Sequence, residues 1–228
     1  MSKSKFFAAA VIALFAAQAQ ASLILLSAQD FQGTGLGTVN TILTLQSPGS
    51  TSNEAGSVGR AVLNPNDVIT GDAMTGASQS QTRTAAELGL TSASLIRVVF
   101  NALEPGSAAN SILLNDLQLN IFDAAGNLLF NSGAFAPINF ADTFTGAGNS
   151  GFVFGLDVTQ AAQAQAAAFG IGFGTNRIGI SASLSNATGG FETFFVAIAP
   201  GQQVPEPGSL VLAGIALLGL AASQRRKH

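Results

Sequence analysis

Apolar residues fall into three patterns along the chain. Near the N-terminus, residues 6–17 form an apolar run behind a short basic stretch that holds Lys3 and Lys5. Near the C-terminus, residues 209–223 form a second, uncharged run. It follows Val204, Pro205, Glu206 and Pro207, and precedes Arg225, Arg226, Lys227 and His228. Between these runs the apolar positions come in short blocks or in alternation, broken by Gly, Pro, Asn, Asp and Ser. That is the pattern of short strands joined by turns.

The strand signal is clearest in two places. Leu117, Leu119 and Ile121 alternate with Gln118 and Asn120, Asp123 and Gly126 supply turn chemistry, and Leu128, Leu129 and Phe130 return. This spacing predicts a hairpin with a type I turn and a bulge. Ile178, Ile180, Ala182 and Leu184 alternate with Gly179, Ser181, Ser183 and Ser185, and a turn over 186–190 leads to the apolar run 191–199. A second hairpin is expected there. One wet face on each fits an antiparallel sheet. Shorter runs at 23–26, 38–45, 61–63, 68–70, 94–103 and 151–156 predict further strands, with loops over 46–53 and 71–82.

Two helical signals interrupt the strands. Thr84 and Glu87 stand at capping-box spacing, with Gly89 as the stop. Residues 157–169 are alanine-rich, Asp157 or Thr159 can cap their start, and Gly170 ends them. The expected fold is all-β: an antiparallel β-sandwich of about eight to ten strands, with jelly-roll order one option and one short Ala-rich helix. A signal helix at the N-terminus and a transmembrane helix at the C-terminus are expected outside it.

The two ends specify a route. A basic stretch, an apolar run and the small-x-small sequence Ala19-Gln20-Ala21 make a secretory signal peptide, cut between Ala21 and Ser22. Its partners would be the Sec machinery and signal peptidase. The C-terminal run spans roughly 22 Å as a helix, against a hydrocarbon core of about 30 Å. Flanking residues and snorkelling Arg225 and Arg226 bring it close to a full span. A buried core helix of that length would show a polar face and would not end on Arg225, Arg226 and Lys227. Both basic flanks belong in the cytoplasm, and the segment between them is exported. The domain division is then 1–21, 22–203 and 204–228.

Pro205, Glu206 and Pro207, the short apolar run and the basic end, in that order, resemble the PEP-CTERM sorting domain of exopolysaccharide-producing Gram-negative bacteria. The resemblance covers residues 204–228. It implies recognition by exosortase, a membrane-embedded cysteine enzyme, and processing near Pro205–Pro207. It further implies a membrane-held precursor that ends at the cell surface or in the extracellular polysaccharide. It implies a route and no activity.

Charge and composition narrow what the exported body can do. Residues 22–203 hold four arginines and eleven acidic residues, a net charge of −7, and no lysine. Such a body is a poor ligand for a phosphate backbone, so no nucleic-acid partner is expected. The chain has no cysteine, tyrosine or tryptophan, and its one histidine is His228. Serine, cysteine and lysine nucleophile arrangements and histidine or thiolate metal sites therefore lack their residues in the body. The absence of Tyr and Trp argues mildly against a sugar-binding face. No catalytic residue, metal ligand or cofactor is assigned.

Three functions stay open. The first is a non-enzymatic structural or adhesive domain. The second is a glycan- or calcium-binding module, for which Asn64, Asn66, Asp67 and Asp72 offer oxygen ligands in one loop region. Their spacing matches no EF-hand, and turn residues bonding their own backbone explain them better. The third is a glycan hydrolase working with carboxylates alone. Asp116 and Asp123 read as solvated strand-end charges. The glycine series at 33–37 and 170–174 lack the continuation of a phosphate loop.

Overall fold

A computed structural model describes residues 23–26, 40–46, 51–76, 78–102, 111–140, 151–187 and 190–199. The predicted signal helix, Ala21 and Ser22, and the whole C-terminal segment from residue 200 lie outside them. Among the described residues no helix is long and apolar enough to cross a membrane.

The strands are β1 (Ile24–Leu25), β2 (Thr41–Leu45), β3 (Asn53–Gly59), β4 (Val68–Gly71), β5 (Arg83–Thr84), β6 (Ile96–Asn101), β7 (Ile112–Phe122), β8 (Leu128–Asn131), β9 (Ile138–Phe140), β10 (Gly151–Gly155), β11 (Arg177–Ser185) and β12 (Glu192–Ile198). One helix, α1, covers Val158–Ala168. All pairings are antiparallel, in two sheets. One runs β1-β10-β6-β12-β2 and the other β4-β3-β11-β7-β8, with β5 added beside β11 and β9 beside β7. Taking β2-β12-β6-β10 and β3-β11-β7-β9 as the two central layers, consecutive strands β2/β3, β6/β7, β9/β10 and β11/β12 switch sheets. That order is a jelly roll.

The sheets face each other across a single apolar core. On β6, Ile96, Val98 and Phe100 point inward and are fully buried, as the two-residue period of a strand requires. Phe152, Phe100 and Phe194 stand opposite one another on β10, β6 and β12. Phe140 of the other sheet meets this row, with its ring centroid 3.9 Å from Phe152 and 5.9 Å from Phe100. Phe100 and Phe194 are fully buried, and each contributes about 1.5–3 kcal/mol of transfer free energy. The free edge at β2 is covered by the segment after β4: Met74 N–H donates to the Thr44 carbonyl at 2.8 Å and Gln81 N–H to that of Ile42 at 2.9 Å. Covering an edge in this way removes a template for intermolecular pairing.

The sheet-switching segments 46–52, 102–111, 141–150 and 186–191 all begin and end at one end of the sandwich, the arch rim. Register places it there: Glu192 is opposite Leu45, Gly151 opposite Asn101, Ser185 opposite Asn53, and Ile112 opposite Phe140. The other end, the hairpin rim, carries the β3–β4 and β7–β8 turns. There β1 enters, with Ile24 opposite Gly155, and β12 leaves at Ile198.

Four sequence expectations are corrected. Twelve strands stand among the described residues where about eight to ten are expected, because β1, β4, β5 and β8 add short edge pieces to the eight of the jelly roll. The alternating strand β11 and the apolar β12 do not form a hairpin. β11 pairs with β3 and β7 and β12 with β2 and β6, because each finds two strand partners in its own layer. Residues 61–63 form a turn, and the strand lies earlier, at β3, whose glycine and serine content hides it. β3 is held by ladders on both sides. Thr84 and Glu87 do form the reciprocal cap, with Thr84 N–H donating to Glu87 Oε2 at 2.7 Å and Glu87 N–H to Thr84 Oγ1 at 3.1 Å. It closes a turn and not a helix, since Gly89 at φ +66° ends it at once.

Candidate functional site

Each polar cluster singled out in the body turns out to be occupied with holding the fold. Asp67 accepts from the Thr82 amide at 2.8 Å and the Thr82 hydroxyl at 2.5 Å, and Arg60 lies 3.6 Å away. Arg177 donates to the Thr82 hydroxyl at 2.6 Å and to its carbonyl at 2.7 Å. This Arg60–Asp67–Thr82–Arg177 network ties the β3–β4 loop to the segment before β5 and to the start of β11. Asn64 Oδ1 accepts from the Asn66 amide at 3.0 Å, and Asp72 Oδ2 from the Ala55 amide at 2.9 Å. The side-chain oxygens of Asn64, Asp67 and Asp72 considered as calcium ligands thus serve the protein's own backbone and side chains. Among the described residues no group of three or more acidic, histidine or cysteine side chains is placed to hold a metal ion.

Asp123 closes the β7–β8 turn. Its carboxylate accepts from the Asn127 side chain at 2.7 Å and from the amides of Asn127 and Ala125 at 2.8 and 2.9 Å. The Asn127 contacts, led by its side chain, hold the Asp123 carboxyl below the usual aspartate value. The Thr84 amide likewise lowers that of Glu87. Gly126 adopts φ +89° in the same turn. Asp116 accepts from Gln118 at 2.9 Å.

The arch rim holds two carboxylates that sequence reasoning did not single out, Glu54 on β3 and Glu192 on β12. Both are buried. Strand alternation puts Glu192 on the inward face with Phe194. Only the sheet register reveals them, since a lone Glu among strand residues looks like a solvated charge.

α1 sits at the hairpin rim. Asp157 caps it by accepting from the Gln160 amide at 2.7 Å, and Gln160, Ala164 and Ala168 form its buried stripe. Gln165 Oε1 accepts from the Ala93 amide at 2.9 Å and from Ser92 Oγ at 3.2 Å. An open groove of about 460 Å³ runs between α1 and the turn before β6, lined by Ser92, Ser94, Leu156, Val158, Ala161 and Gln165 among others. Three of its polar residues, Ser92, Asp157 and Gln165, are engaged in these contacts. The glycine series 170–174 forms the turn between α1 and β11, away from any strand-to-helix phosphate frame. The series at 33–37 falls outside the described residues.

The remaining candidate is the segment after β12. Residues 203–227 match the family model of the PEP-CTERM protein-sorting motif. The tail is similar to the PEP-CTERM sorting motif. Pro205, Glu206, Pro207, Arg225, Arg226 and Lys227 lie inside the match. The PEP-CTERM motif implies an exported protein and membrane-anchored processing by exosortase. No curated protein and no solved structure matches the chain.

Proposed function

We propose that the chain is a cell-envelope or extracellular-matrix protein of a Gram-negative bacterium with a structural or adhesive role. The signal peptide is removed between Ala21 and Ser22. The apolar run 209–223 then holds the precursor in the inner membrane with Arg225, Arg226 and Lys227 on the cytoplasmic side. Exosortase acts near Pro205, Glu206 and Pro207, and the β-domain passes to the cell surface or the polysaccharide around it. The domain is not an enzyme on this reading.

The PEP-CTERM match over residues 203–227 carries the proposal. Two features of the body support its non-enzymatic half. It has no histidine, cysteine, lysine or tyrosine, and Asp67, Asp72, Asp123 and Asp157 are all engaged in local hydrogen bonds. Replacing Pro205, Glu206 and Pro207 by alanine should leave full-length precursor in the membrane fraction. Intact-mass measurement on membranes and culture fluid reads both cuts and any attached group. A variant processed and released like the natural protein refutes the sorting assignment.

A further inference from the structure

We propose that the hairpin rim is the membrane-facing end of the domain and rests on the lipid headgroup surface, with the arch rim held away from it. This builds on the reading of the tail as a membrane anchor.

The two chain exits fix the orientation. β1 begins at the hairpin rim and β12 ends there, so both attachments to the terminal segments leave from the same end of the sandwich. Residues 200–208 separate the domain from the apolar run. Even fully extended they span only about 30 Å.

Exposed apolar side chains gather at the same end. Nine large hydrophobic residues are exposed among the described ones. Val62 and Leu63 lie in the β3–β4 turn, Leu128 beside the β7–β8 turn, Val158 at the start of α1, Ile171 after α1, and Ile198 at the end of β12. The two residues of β1 lie in the same half. Only Phe191 belongs to the arch rim. Leu63 is 94% exposed and takes φ +65°. Scattered exposed leucines are ordinary, but six large apolar side chains exposed on the turns and strand ends of one rim, among the described residues, mark an interaction surface.

Charge divides the same way. Arg60, Arg83, Arg97 and Arg177 lie at the hairpin rim and are matched by Asp67, Glu87, Asp123 and Asp157. Among the described residues the arch half holds Asp72 and Asp116, and the buried Glu54 and Glu192, with no basic residue. An anionic lipid surface therefore repels the arch rim and is neutral toward the hairpin rim. β11 alone is roughly 30 Å long, well beyond a Debye length of about 8 Å, so in this orientation the acidic end escapes the surface potential.

The chain has no cysteine, so single introduced cysteines report unambiguously. The full chain is reconstituted in phosphatidylethanolamine–phosphatidylglycerol vesicles with a fluorophore at Leu63→Cys, Ile171→Cys, Ser52→Cys or Ala213→Cys, and quenched by lipids spin-labelled on the headgroup or the acyl chain. Headgroup quenching several-fold greater at Leu63→Cys and Ile171→Cys than at Ser52→Cys is expected. Equal quenching at the two rims, or stronger quenching at Ser52→Cys, overturns the inference while acyl-chain quenching at Ala213→Cys leaves the anchor standing. No acyl-chain quenching at Ala213→Cys overturns the anchor reading and this inference together.

Discussion

Replacing Phe100 by alanine tests whether the aromatic row is what joins the two sheets. The Phe100 ring is fully buried. It stacks on Phe194 with centroids 4.8 Å apart and planes 13° apart, and lies 5.9 Å from Phe140 and 6.0 Å from Phe152. Truncating a buried Phe to Ala costs about 3–5 kcal/mol through lost transfer energy and the cavity left behind. Each aromatic pair adds about 0.5–1.5 kcal/mol beyond area. Phe100 touches three rings from three strands in both layers, so its neighbours cannot collapse together without moving a strand. The upper part of the range is expected. Against a total stability of about 5–15 kcal/mol, the variant should lose a third or more of its margin. Urea unfolding of residues 22–203 should show a lower midpoint at unchanged slope, and Tm should fall by roughly 10 °C or more. Phe135→Ala is the internal comparison: Phe135 is 9% exposed and meets Phe154 edge-on at 5.7 Å, so it should cost less. A loss at Phe100 under about 1 kcal/mol, or one no larger than at Phe135, refutes the role given to the row.

Two further outcomes follow from the β7–β8 turn. A Cβ at Gly126 would lie 2.3 Å from the Ala61 carbonyl oxygen at φ +89°, so Gly126→Ala should destabilise by at least about 1–3 kcal/mol; a thermal melt unchanged from the natural protein contradicts this. Asp123 has a lowered pKa in the folded chain, so its contribution is complete above the unfolded value of about 3.9 and fades as pH falls through the lower folded value. Amide exchange at Ala125 and Asn127, corrected for its intrinsic pH dependence, should accelerate over that acid window, and Asp123→Asn should abolish the acceleration.

The local elements were legible where side chains and backbone asked for the same thing. Asp157 before an alanine run and Asp123 three residues before Gly126 each carry their own hydrogen bonds, so α1 and the β7–β8 turn stand where periodicity puts them. Nearness in sequence predicted the β7–β8 pairing correctly and misled at β11 and β12. β11 and β12 look like a hairpin because both alternate or run apolar around a turn, yet a strand of a jelly roll seeks its partners in its own layer, and those lie far along the chain. β3 was hidden because two ladders, not its side chains, stabilise it. The match to the PEP-CTERM motif was readable outright, since Pro205, Glu206 and Pro207, an apolar run and a basic end are compositional features that need no tertiary partner. The buried Glu54 and Glu192 became visible only once register placed them at the arch rim.

The location of β12 has a mechanical consequence. It is an interior strand of its sheet, bonded to β6 on one side and β2 on the other, and the tail follows it in sequence. A pull applied between the tail and anything gripping the arch rim runs along this strand. Both its ladders are then loaded in parallel, all bonds sharing the force at once, in place of a zipper opening one rung at a time. On the proposed anchoring by the tail, the domain resists tension best in the direction in which that anchor would apply it.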